Sequence, residues 1–110
     1  MKMLIYAGSE FMTSDAVAVA LLRYSEALAE SQEAATIELP IVEPGGRLTT
    51  AEFLVGPASQ IVSKNIETDL EEPDAPEVVE RLRAMTRRLR PEASIESEAP
   101  SGNGRWKWED

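Results

Sequence analysis

The chain has 110 residues, 20 acidic and 11 basic side chains for a formal net charge of −9, and neither histidine nor cysteine. Without imidazole or thiol it cannot build a Ser-His-Asp triad, a cysteine nucleophile, a thiol–disulfide couple or an ordinary zinc centre. Its 43% hydrophobic content fits one domain that holds a core without disulfide or metal staples, and its charge disfavours nucleic acid and anionic membrane as partners.

The first apolar run, Met3 to Ala7, reads as a buried strand ended by Gly8. That run is too short for a secretory leader, and no stretch reaches the roughly 18 apolar residues of a membrane span, so the expectation is a soluble, cytoplasmic protein. Gly8-Ser9-Glu10 follows as a loop. Met12-Thr13-Ser14-Asp15 then supplies a capping oxygen and an acidic first turn. Val17, Leu21, Tyr24 and Leu28, spaced four, three and four apart, predict a long amphipathic helix that ends between Gln32 and Ala35.

Thr36 to Glu43 alternates, with Ile37, Leu39 and Ile41 on one side, and Pro40 within it argues for an edge strand or a bulge. After the turn Pro44-Gly45-Gly46, Ala51, Phe53 and Val55 repeat the inward pattern, so residues 36–55 predict a β-hairpin. Residues 60–66, rich in β-branched side chains, read as a short extra strand. Glu67 to Asp74 is a polar loop, and Pro76 then opens a second helix to about Arg90, with Val78, Leu82, Met85 and Leu89 as its apolar stripe. Residues 1–91 therefore form a single α+β domain: a two-layer sandwich with a small mixed sheet and both helices on one face, in the order β-α-β-β-(β)-α. Residues 92–110 have the composition of a flexible polar tail; if 92–97 pair as a last strand, the order becomes ferredoxin-like.

Charge is striped along this frame. Residues 67–80 carry −7 and residues 81–90 carry +5. The acidic run Glu67, Asp69, Glu71, Glu72, Asp74 begins with the spacing of a calcium loop, yet its sixth position is Glu72 rather than glycine and its twelfth is Val78 rather than glutamate. No metal and no cofactor is expected. Arg81, Arg83, Arg87, Arg88 and Arg90 oppose the negative end of a helix dipole, and Arg81, Arg87 and Arg88 offer a basic face to an acidic protein partner. No aromatic residue interleaves them and the rest of the chain is acidic, which argues against a nucleic-acid surface.

Trp106 and Trp108, both tryptophans of the chain, point the same way in an extended segment and could dock as paired anchors on another protein or a second copy. The strand-to-helix loop near Gly8 is the other candidate site. Tyr6, Ser9, Glu10 and Tyr24 could line a ligand pocket there, although the loop has one glycine and lacks the pattern of a phosphate-binding turn. Neither two carboxylates among sugar-stacking aromatics nor a Ser-x-x-Lys helix start is present, so no catalytic residue is assigned. A sheet face with Val42 and Leu54 among Thr36, Glu38, Thr50 and Glu52 is too apolar to be only wet. The expected function is therefore a non-catalytic protein–protein interaction module that self-associates, with a homodimer as its simplest form; the alternative is a small-molecule-binding or enzymatic domain with its pocket between the first strand–helix loop and the sheet.

Overall fold

The computed structural model describes residues 1–90, which form an α+β fold of two helices and an open five-stranded sheet. The strands are β1 (Lys2–Tyr6), β2 (Ser9–Thr13), β3 (Ala35–Val42), β4 (Leu48–Val55) and β5 (Ile61–Asn65). Helix α1 (Asp15–Ser31) lies between β2 and β3, and α2 (Pro76–Leu89) follows β5. Among the described residues, no helix is long and apolar enough to cross a membrane.

The spatial order is β4-β3-β2-β1-β5, and every pair is antiparallel. The expectation of a mixed sheet fails because of β2, which takes up the segment expected to be loop. Ala7 (φ 53°) and Gly8 (φ 80°) both adopt left-handed backbone and turn the chain in two residues, so Ser9–Thr13 folds back on Lys2–Tyr6. Alanine is an uncommon first residue for such a turn, and its presence hid the hairpin. The remaining strands stand where the pattern put them, residues 61–65 included. Residues 92–97, the possible last strand, lie outside the described residues.

Helix α1 starts at Ser14, whose Oγ accepts the Val17 N–H at 3.1 Å, and ends at Gln32 in left-handed backbone. Its predicted stripe, Val17, Leu21, Tyr24 and Leu28, is fully in the core. The stripe of α2 is rotated from expectation: Val79 and Leu82 are buried, while Val78, Met85 and Leu89 are half-buried. The reason is that α2 packs beside α1 as well as against the sheet. Arg90 at its end reaches Glu26 and Glu30 of α1 at 3.5 and 3.1 Å. Glu72, just before α2, accepts the Asp15 N–H that opens α1 at 3.1 Å. The two helices therefore run side by side in the same direction.

The sheet is strongly curled. β4 and β5 are at its opposite ends, yet a tight Gly56–Ser59 turn joins them, with Ser59 N donating to the Gly56 carbonyl at 3.0 Å. From β1, Tyr6 reaches across to β4 and donates its hydroxyl to the Leu54 carbonyl. Phe53 of β4 meets Tyr6 and Phe11 with ring centroids 5.9 and 5.0 Å away, an aromatic cluster that joins the two hairpins inside the curl. Leu4, Leu39, Phe53 and Val55 line that inward face together with Val17, Leu21 and Leu28 of α1 and Leu82 of α2.

Candidate interaction surface

The face away from the helices follows from the strand registers. Pairing of Thr36 with Leu54, Glu38 with Glu52, Pro40 with Thr50 and Val42 with Leu48 puts all eight on the outward side of the β3–β4 hairpin. Met12 pairs with both Val42 and Met3, so the outward row continues into β1, and Ile5 pairs with Val62 on the same side. Two residues apart on β1, Leu4 and Tyr6 therefore face the helices and Ile5 faces out. Among the described residues, the most exposed large apolar side chains are Leu54 (65%) and Leu48 (60%) on β4, followed by Val62 (54%) on β5. All three are on the two strands that end the sheet.

Backbone chemistry at β4 follows from the hairpin turn. Glu43 N donates to the Arg47 carbonyl at 2.9 Å, so that pair is hydrogen-bonded. Bonded and non-bonded pairs alternate along an antiparallel ladder. The pairs Val42–Leu48, Pro40–Thr50, Glu38–Glu52 and Thr36–Leu54 are then non-bonded ones, and the N–H and C=O groups of Leu48, Thr50, Glu52 and Leu54 point out from the sheet edge. Two observations agree with this phase. Pro40 has no N–H to give β4 and needs none there, and the Leu54 carbonyl is free to accept the Tyr6 hydroxyl from outside the ladder. On the other side of β3, pairing with β2 is limited to the Val42 end, and the Pro40 carbonyl accepts the Thr13 hydroxyl at 2.7 Å. Pro40 thus sits where the β2 ladder has given out, which is how an interior strand tolerates it.

The residues proposed for a ligand pocket do not converge. Tyr6 and Ser9 are paired on the inward side of the β1–β2 hairpin, whereas Glu10, next along β2, pairs with Ile5 and faces outward. The Tyr6 hydroxyl, bound to Leu54 and 3.1 Å from Ser59 Oγ, closes the β4–β5 turn. Tyr24 is buried in the helical layer, where burial pushes its phenol above the ordinary tyrosine range; the Glu33 carboxylate adds to the rise and Arg88 opposes it. Because Ser9–Glu10 belongs to a strand, no strand-to-helix loop exists there to hold an anion.

The arginines divide by helix face. Arg90 is tied to α1, and Arg87 pairs with Glu80 at 3.4 Å. Arg81 is exposed on the rim of a small cleft of about 150 Å³ between α2 and β3, lined by Thr36, Ile37, Glu38, Val78, Leu82 and Met85. Arg88 is exposed near Tyr24. In the acidic loop, Glu72 is used structurally: with Asp15 it holds the Met1 amino group at 2.8 and 3.0 Å. Trp106 and Trp108 lie outside the described residues. Leu48 and Val62 are the surface residues that the sequence reading passed over. Extending the β4 alternation back two residues from Thr50 would have found Leu48.

No known protein family, curated protein or solved structure matches this chain.

Proposed function

We propose that the protein is a small non-catalytic interaction module that associates with a second copy of itself through its sheet. The observation that supports this reading is the β4 strand. Among the described residues, this eight-residue strand is unpaired along one side and carries the two most exposed large apolar side chains. Leaving them in water forfeits burial worth about 25 cal/mol per Å² of apolar surface, and an unpaired edge of this kind is a template for strand addition. Sedimentation equilibrium over a wide concentration range tests the reading. The expected result is a reversible monomer–dimer equilibrium; a monomer at every concentration overturns it.

A further inference from the structure

The three longest stretches of unpaired edge in the described sheet are on β4, β3 and β5, and two of them are guarded. β5 has five residues and presents Lys64, a charge that discourages edge pairing. The free side of β3 carries Pro40, which cannot donate, and faces the α2 cleft. β4, Leu48-Thr49-Thr50-Ala51-Glu52-Phe53-Leu54-Val55, has no proline, no lysine and one charge. It is also rich in the β-branched and aromatic residues that favour pleated backbone.

Resting on the self-association proposed above, we infer that the partner is a second copy paired along β4, antiparallel about a twofold axis through Ala51. Three features of the strand select this register. Residues opposite one another in an antiparallel pair share a face, so a twofold axis must pass through a residue and not between two. An axis at Ala51 puts Leu48 opposite Leu54 of the second copy and Thr50 opposite its Glu52. The two exposed leucines then cover each other at both ends, and the carboxylate faces a hydroxyl. An axis at Glu52 sets two carboxylates directly opposite, which is destabilising, and an axis at Thr50 sets Leu48 against Glu52.

The backbone phase agrees with this register. Leu48, Thr50, Glu52 and Leu54 are the residues whose N–H and C=O groups point off the edge, and in this register they pair only with each other. The Thr50–Glu52 pairs each exchange two bonds at the centre of the ladder. At the Leu54 end, the Tyr6 hydroxyl occupies one lone pair of the carbonyl, leaving the second for the incoming Leu48 N–H. The dimer is a continuous ten-stranded curled sheet in which each copy covers the other's Leu48 and Leu54.

Three variants separate this inference from the broader reading. Thr50→Pro removes an N–H that points off the edge, on the same outward side as Pro40, which its own hairpin accommodates. It should leave the circular dichroism spectrum intact and raise the dimer dissociation constant at least about tenfold. Ala51→Cys gives a chain whose one thiol sits at the axis, in a non-bonded pair with Cα atoms about 4.5 Å apart, within disulfide range. Mild oxidation should convert that variant into a covalent dimer, while Thr49→Cys, offset from its own mate by four positions, should stay free. If the parent chain is a monomer, the self-association reading and this inference fall together. If the parent is a dimer but Ala51→Cys fails to cross-link, or cross-links no better than Thr49→Cys, the β4 register is overturned and self-association stands by another surface. The cross-linking result decides even if Thr50→Pro fails to fold.

Discussion

The β1–β2 hairpin turns in two residues, both in left-handed backbone, whereas the β3–β4 hairpin takes the longer path Glu43-Pro44-Gly45-Gly46-Arg47, with Gly46 at φ 93° and a Glu43–Arg47 ion pair at 3.0 Å. Their positions differ in the same sense. The first hairpin lies inside the sheet, covered on one edge by β5 and touching β3 on the other; among the described residues, the second stands at the end with one side of β4 unpaired by any strand. The first is specified by its neighbours and can tolerate an alanine in a glycine-like position. The second is specified by its own alternation, and it is the one left with large apolar side chains, Leu48 and Leu54, in water.

Breaking the seam between them should have the largest effect. Phe53 joins the hairpins through its contacts with Tyr6 and Phe11 and is 2% exposed, so Phe53→Ala should cost about 3–5 kcal/mol in urea unfolding. That is a large share of the stability of a domain this size. Tyr6→Phe keeps the ring and deletes only the hydroxyl that reaches Leu54 and Ser59. The expected loss is about 0.5–1.5 kcal/mol, with the Phe53 packing retained. Equal losses in the two variants would mean that the seam is held by the hydrogen bond and not by ring burial.

The same contrast explains what could be read from the sequence. The β3–β4 hairpin declares itself because Ile37, Leu39, Ile41, Phe53 and Val55 recur at period two, and α1 because four apolar residues recur at helical spacing; both signals are local. β2 gives no such signal. Its tip, Ser9-Glu10, is polar and exposed, its end runs into the Ser14 cap, and Ala7-Gly8 lacks the asparagine or aspartate that marks a two-residue turn. The strip of α2 that is buried depends on where α1 lies, which no local pattern records. The candidate surface was half legible for a similar reason. Leu54 stands out in the alternation, but whether β4 is an edge depends on the order β4-β3-β2-β1-β5, a long-range property.

A variant in the opposite direction sharpens the comparison. Ala7 pays for left-handed backbone that asparagine adopts more readily, so Ala7→Asn should raise stability by about 0.5–1 kcal/mol. The same change at a β3–β4 turn position with ordinary backbone should not. A gain smaller than the error of the measurement would mean that contacts at the tip, and not backbone preference, hold the first hairpin.

The smallest expected effect concerns the other end of the first hairpin, where the Met1 amino group is clasped by Glu72 and Asp15 just before Lys2 enters β1. The hydrogen bond to Glu72, then that to Asp15, raises the amine above its ordinary value of 8.0. The bond from that amine, then the Asp15 N–H, lowers the Glu72 carboxyl below 4.5. The signs follow from linkage. The amine binds its proton more tightly when folded, so its contribution is complete below pH 8 and disappears as the pH rises through its raised value. Glu72 releases its proton more readily when folded, so its contribution is complete above pH 4.5 and disappears as the pH falls through its lowered value. Glu72 is 43% exposed and Asp15 61%, so solvent screening holds the clasp to at most about 1 kcal/mol. The melting-temperature difference between the parent and Glu72→Gln should therefore form a plateau from about pH 5 to 8, shrink on both sides and contract in high salt. A difference that stays constant with pH would mean that the charge of Glu72 contributes nothing there, leaving the first hairpin without an electrostatic tether.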